Sequence, residues 1–322
     1  MTPVDFMEIP GIKVGHAQDE VACTGCTVIL SEQGATMGVD VRGGAPGTRE
    51  TDLLDPVNLV EKGHGVLLAG GSAFGLDAAA GVMSWLEGRG VGFDVQVTRV
   101  PIVCGAALFD LTIGDHRVRP DRAMGILACD NASGETCPQG SVGAGTGATV
   151  GKILGMDTAM KGGIGHGAFR AGELMVGALV VVNCLGDVVD PDTGEQLAGP
   201  LDADKKRLFS TEEIMVRAYA EKKNLFSGNT TLGLVATNAS LTKAQATKVS
   251  AMAQNGYART MRPAHTMFDG DTIFTMATGG VGADLSVVGL MAAHAVERAV
   301  ISAVKHANSL AGVKSRNEVF GI

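Results

Sequence analysis

The sequence predicts a layered α/β or α+β sandwich in a single domain, and three observations carry that expectation. Apolar strand-like runs alternate with amphipathic helical stretches along the chain. Hydrophobic residues make up 45% of it and charged residues only 19%, which suits a chain of 322 residues with a large core to bury. No stretch is polar enough or long enough to serve as a linker between domains. Glycine is unusually frequent: 46 residues are about twice the ordinary share of roughly 7%, with neither a collagen period nor low complexity. Such glycine belongs to tight turns and to close backbone approaches.

Taken in order, "GATMGVDVRGG" (residues 34–44) and "HGVLLAGG" (64–71) read as buried strands that leave through glycine turns. "GSAFGLDAAAGVMSWLEGRG" follows as a helix, with Ser72 as its cap, an apolar face at Phe74, Leu76, Ala80, Met83 and Leu86, and an end at Gly88 or Gly90. "VPIVCGAALFDL" (100–111), "MVGALVVVNCLGDVVD" (175–190) and "TLGLVAT" (231–237) are further strands. Thr242 and Gln245 form a capping box at the head of a helix that stops before Pro263. "DTIFTMAT" (271–278) is again a strand, and the apolar stretch from Ala283 to Leu310 is a long helix ended by Gly312.

A net charge of -8 and a pI near 5.4 argue against a nucleic-acid partner, because a phosphate-binding surface needs Lys and Arg in excess. The amino-terminal stretch "MTPVDFMEIPGIKVGHA" has neither a basic n-region nor an apolar h-region. The longest apolar run, from Leu174, is interrupted by Asn183 and Asp187 and is too short to span a bilayer. A cytoplasmic protein without a membrane partner is therefore expected. The six cysteines are scattered through apolar or turn contexts and read as reduced, buried thiols. "CTGC" has redox or zinc spacing, but no second pair and no nearby His complete a site, so neither metal nor cofactor is expected.

Several motif-like stretches fail on spacing. "GSVGAGTGATVGK" has Thr146 where a phosphate loop needs its first Gly and Ile153 where it needs Ser or Thr. It also lacks the lead-in strand and the acidic residue of a dinucleotide fingerprint, although its backbone amides could make a concavity for negative charge. "GGSAFG" misses the nucleophile-elbow pattern by position, and "FDGD" lacks the other ligands of a calcium loop.

"GNTTLGLVATN" raises a sharper question, because Asn229, Thr230 and Thr231 stand in a row at the mouth of a strand. Turn chemistry explains them in one way, since Asn tolerates positive φ and Thr suits a strand. The other reading is that the Asn229–Thr230 bond breaks. Thr230 would then carry both a hydroxyl and a free α-amine, whose ordinary pKa of about 7.7–8.0 suits a general base. Asp269 and Asp271, a turn pair by themselves, could hold that amine. Asn and glycine-loop amides could stabilise an oxyanion.

The motifs "GIKVGHA", "TGCTVIL", "GVDVRGGAPGTRETDLLDP", "LAGGSAFGLDAAAGV", "RPDRAMG", "GSVGAGTGATVGK", "GNTTLGLVATN" and "DGDTIF", in that order over nearly the whole chain, resemble the P1 peptidase family. That family includes the L-aminopeptidase/D-Ala-esterase, the β-peptidyl aminopeptidases and the endo-type 6-aminohexanoate oligomer hydrolase. The resemblance implies a four-layer αββα sandwich like that of N-terminal nucleophile hydrolases, self-cleaved into an α chain 1–229 and a β chain 230–322, with Thr230 as nucleophile. It further implies an oxyanion-side amide at Asn183, an acidic pair at Asp269 and Asp271 beside the nucleophile, and an active-site Lys152, which alone would read as a solvated charge. Phe109 departs from the oligoamide hydrolase, which has Tyr there, so a donor is missing from the substrate pocket. A small peptide or amide substrate and a homo-oligomer, tetrameric or larger, are implied as well. Aminopeptidase activity is the leading expectation and endo-type oligoamide hydrolysis the second. Acyl transfer of the ornithine acetyltransferase kind and an uncleaved non-enzymatic scaffold are the other classes.

Overall fold

The structure is a computed structural model and describes residues 1–221 and 229–322. Among the described residues ten strands join in one sheet. They are β1 (Thr2–Val4), β2 (Lys13–Asp19), β3 (Thr24–Val41), β4 (Thr48–Arg49), β5 (Lys62–Ala69), β6 (Val103–Ala107), β7 (Gly163–Ala171), β8 (Leu174–Val182), β9 (Leu232–Ala239) and β10 (Thr272–Val281). Their order is β1-β7-β8-β9-β10-β3-β5-β6-β4, with β2 also paired to β3. The helices that cover them are α1 (Ala78–Glu87), α2 (Arg122–Asp130), α4 (Lys243–Thr260) and α5 (Leu285–Lys305), while α3 (Thr211–Ala220) lies beside the Lys152–Leu154 turn.

The long strand β3 belongs to both halves of the sheet. Its later residues, Thr36–Val41, pair with β10, its earlier ones, Cys26–Leu30, pair with β2 and β5, and the register shifts between Leu30 and Ala35. At that irregularity the sheet folds back on itself. Strand side chains alternate between faces, and each face has its own core. Leu179, Val181, Leu232, Leu234, Phe274 and Met276 of one half meet Ile29, Val66, Leu68, Cys104 and Ala106 of the other. The alternate residues Val180, Val182, Val235 and Ile273 pack instead under α4 and α5. Val28, Leu30, Leu67 and Val103 pack under α1 and α2. Helix, sheet, sheet and helix thus stack as a four-layer αββα sandwich, the expected fold.

Thr242 and Gln245 do form the capping box of α4. The apolar helix α5 is long enough to cross a membrane by length and composition, yet most of it is buried against β7 and β8. It ends at Lys305, with His306 as its C-cap, rather than running on to Gly312. The helix after β5 also differs from expectation. Ser72–Asp77 is a 3-10 stretch, Ser72 makes no side-chain cap, and α1 buries Ala78, Ala79, Val82 and Leu86, whereas Phe74 is exposed beneath the Arg119 guanidinium. The turn is set by Asp110, whose Oδ1 accepts from Gly71 N–H at 2.6 Å, so no hydroxyl cap is required.

The run read as one strand over 175–190 is two. β8 ends at Val182, a turn follows, and Asp187–Val189 joins a separate small sheet with Gln196–Ala198 and Met261–Arg262. The break leaves Asn183 at the end of β8. Register then brings the ends together: β8 pairs Val181 with Leu232 antiparallel, and β9 pairs Leu232 with Thr272 in parallel. Two residues further, those registers set Asn183 opposite Thr230 and Thr230 beside Gly270. Gly228, a residue type that would give the backbone before Asn229 freedom to distort, lies outside the described residues.

Candidate active site

Thr230 N–H donates to the Asn183 carbonyl at 3.0 Å, which continues the β8–β9 ladder by one bond. Thr230 Oγ1 donates to the Asn229 carbonyl oxygen, the carbonyl of the bond in question. The same oxygen accepts from Gly270 N–H at 3.1 Å, and Asn229 N–H donates to Phe268 O at 3.2 Å. The peptide before Thr230 is therefore clasped by the 268–270 loop, with Asn229 2% and Thr230 3% exposed. A Cβ on residue 270 would stand 2.6 Å from Thr230 Oγ1 and 2.8 Å from Ala45 O, so this approach requires glycine.

Asn183 is fully buried, and both the oxygen and the nitrogen of its amide are bonded. Its Oδ1 accepts from Thr149 N–H at 3.0 Å and Lys152 Nζ at 2.8 Å, and its Nδ2 donates to Phe109 O at 3.1 Å. Two donors on one side decide which way the amide faces. In the joined chain the Asn183 amide thus points to Phe109, and the Asn229 carbonyl takes its backbone hydrogen bond from Gly270. Phe109 is half-buried at the end of β6 and enters the site through its carbonyl.

Lys152 is buried rather than solvated, and its Nζ also reaches the Asn183 carbonyl at 3.2 Å. Burial pulls its pKa down to about 8 against the opposing pull of Cys184, Asp269 and Asp110. The glycine loop that leads to it does not offer its amides to an anion. Gly143 N–H donates to Gln18, Ala144 N–H to Thr27 and Thr149 N–H to Asn183. Its Thr146 and Ala148 carbonyls are held by the buried Lys161 at 2.8 and 2.7 Å.

The two aspartates are each 1% exposed and differ in their bonding. Asp271 Oδ1 accepts from Thr231 N–H at 2.9 Å, and its Oδ2 accepts from both N–H and Nδ1 of His265 at 3.0 Å. Asp269 Oδ2 is taken by the N–H and Oγ1 of Thr266, whereas its Oδ1 has only a long 3.5 Å contact from Leu185 N–H. Burial, and then the neighbouring Asp271 charge, raise the Asp269 pKa. One lysine, two carboxylates, a threonine and an amide thus share a closed, low-dielectric space.

The structure brings Thr230, Asn229, Asn183, Lys152, Asp269 and Asp271 together, with Phe109 at the edge. Reading the sequence had not singled out His265, Thr266, Thr149 or Gly270. His265 and Thr266 stand just ahead of "DGD" in "PAHTMFDGD", but only the fold shows that they bond back to it. All six cysteines stand free, and no group of three or more His, Cys, Asp or Glu among the described residues could hold a metal.

The sequence model of peptidase family S58 matches residues 5–318. The chain belongs to peptidase family S58. This S58 chain is 44% identical to an uncharacterised aminopeptidase of Mycobacterium leprae (strain TN) over 95% of its own length and 91% of that protein. It is 30% identical to a 6-aminohexanoate-oligomer endohydrolase of Kocuria sp. (strain KY2), over 92% of the chain and 85% of the relative. Among solved structures, the L-aminopeptidase D-Ala-esterase/amidase of Ochrobactrum anthropi superposes with a TM-score of 0.71 at 19% identity, covering 94% of this chain and 85% of that one. A Burkholderia sp. beta-aminopeptidase superposes at 0.69 and 20% identity, covering 99% and 94%. At such identity the likeness is one of fold, and it places the S58 chain among Ntn-hydrolase-fold proteins.

Proposed function

We propose that the chain is a self-processing amide hydrolase of the aminopeptidase kind, with Thr230 as the nucleophile freed by cleavage after Asn229. The observation that carries this reading is the clasped, buried Asn229 carbonyl, which faces Thr230 Oγ1 on one side and Gly270 N–H on the other. Thr230 Oγ1 would add to that carbonyl carbon while Gly270 N–H stabilises the charge growing on its oxygen. Breaking the C–N bond passes a proton to the Thr230 nitrogen and leaves Asn229 as an ester on Oγ1. Water then releases the Asn229 carboxylate and a free Thr230. In later turnovers the Thr230 amine takes the Oγ1 proton, Oγ1 attacks the substrate amide, the amine product departs with a proton, and water clears the ester.

Aminopeptidase action is supported by the 44% identical relative of that name and by carboxylates near Thr230 that could bind a substrate ammonium. Endo-type oligoamide hydrolysis is the second reading, supported by relatives named 6-aminohexanoate-oligomer endohydrolase. Purified protein is expected to run as two pieces, the smaller beginning Thr-Thr-Leu-Gly, while Thr230→Ala stays whole. An active enzyme that remains one chain would overturn the nucleophile. Processed enzyme is then given amino-acid anilides, their N-acetylated forms and linear 6-aminohexanoate oligomers. Loss of activity on acetylation supports the aminopeptidase, and cleavage inside the oligomers supports the second reading.

A further inference from the structure

Cleavage would turn Thr230 into a chain end, and chain ends fray unless something ties them down. Strand β9 begins at Leu232, and beyond it the β8–β9 ladder continues by the single Thr230 N–H bond to Asn183 O. Thr231 holds the end from the other side. Its carbonyl accepts from Thr272 N–H at 3.1 Å, and its N–H donates to Asp271 Oδ1 at 2.9 Å. Asp271 in turn is gripped from behind by His265, through Nδ1 and backbone N–H, both at 3.0 Å from Oδ2. His265 holds this place with φ at +58°, a left-handed conformation uncommon outside glycine, for which Asn, Asp and His are the enriched side chains. Its ring lies 6.2 Å from that of the buried Tyr257, which walls the site on the α4 side.

We propose that His265 is a positioning residue for the nucleophile: its imidazole fixes the Asp271 carboxylate, which fixes Thr231 N–H and with it the amine and hydroxyl of Thr230. This rests on the reading of Thr230 as an N-terminal nucleophile. The chain of contacts is His265 Nδ1 to Asp271 Oδ2, then Asp271 Oδ1 to Thr231 N–H, and no atom of His265 is required to touch substrate. A displacement of the hydroxyl by about 1 Å can cost on the order of 10²-fold in rate, so a loosened carboxylate would act on turnover more than on binding.

Two substitutions separate the imidazole from its backbone. His265→Gly relieves the left-handed φ and keeps the backbone N–H to Asp271, but removes Nδ1. His265→Asn also suits that φ and puts an amide nitrogen where the imidazole has Nδ1. In the processed enzyme His265→Gly is expected to lower kcat by about 10- to 100-fold with KM changed less than about threefold, and His265→Asn to recover most of the loss. His265→Gln, whose amide lies at the Nε2 reach instead, is expected not to recover it, and serves as the deletion if the Gly variant does not fold. Unchanged kcat in His265→Gly, or Asn and Gln variants equally impaired, overturns the proposal. A wild-type chain that never cleaves fails the underlying reading instead, and the two failures are told apart on the same gel.

Discussion

Asp269 and Asp271 look alike in the sequence and are unlike in the structure. Asp271 spends both oxygens on Thr231 and His265, whereas Asp269 Oδ1 has only the long Leu185 contact, which leaves it the better acceptor for a new amine. Asp269→Asn is expected to lower turnover of the processed enzyme by roughly 10² to 10⁴, and Asp271→Asn by at least tenfold less, as measured by kcat. Equal losses would remove the distinction. Lys152 gives a second test at this scale. It stays charged to about 8 in the folded chain, against 10.5 ordinarily, so between those values the unfolded state keeps a proton that the folded state has shed. Stability contributed by this site therefore rises as pH climbs from about 8 toward 10.5. In a Thr230→Ala background, which keeps the chain joined, Tm should rise relative to that of Lys152→Met across this window, and parallel curves would contradict the burial of a charged amine. Thr230 and the acidic pair lie far apart in the sequence, and their association was expected from the motifs "GNTTLGLVATN" and "DGDTIF" of the family resemblance rather than from any local pattern. His265 and Gly270 were not legible, because their roles are contacts made by folding.

At the scale of the element, the site is made by strands that stop. A single strand over 175–190 would have carried Asn183 along a ladder, but β8 ends at Val182 and frees Asn183 to face Thr149 and Lys152. Apolar residues resume after Asn183 with Cys184, Leu185, Val188 and Val189, which is why pattern alone extended the strand. The same reasoning mistook Ser72 for a cap, since the Asp110 side chain that holds Gly71 comes from 39 residues along the chain. Capping boxes and alternating strands were legible because they are local. Gly270→Ala probes the closest approach between elements. Its Cβ would stand 2.6 Å from Thr230 Oγ1, so the variant is expected to accumulate as one uncut chain, with SDS gels and Tm as the readouts. Normal processing in a folded Gly270→Ala protein would mean that the loop does not clasp the bond.

Across the whole molecule, the proposed cut separates residues that remain interleaved. β9, after the cut, pairs along six residues with β8, before it, and β10 likewise pairs along six with β3. Helices α4 and α5 cover strands from both pieces. The two fragments should therefore co-elute from a sizing column and part only in denaturant, and separation under native conditions would contradict the shared sheet. A layered sandwich was foreseeable from alternation and composition, and its four-layer αββα form from the resemblance to the P1 peptidase family. The folding of one sheet at β3 was not, because it depends on a register shift between Leu30 and Ala35 within one long strand.

That interleaving reaches back to the gene. A strand that belongs in the middle of a sheet can be severed from its neighbour after assembly, but two separately translated polypeptides would each begin with raw ladder edges and no template to close them. Splitting the reading frame at codon 230 is therefore not equivalent to splitting the product. If the bond before Thr230 is cut as proposed, co-translation as one open reading frame would act as an internal chaperone, and two cistrons encoding the same fragments should yield aggregate where the fused gene yields enzyme.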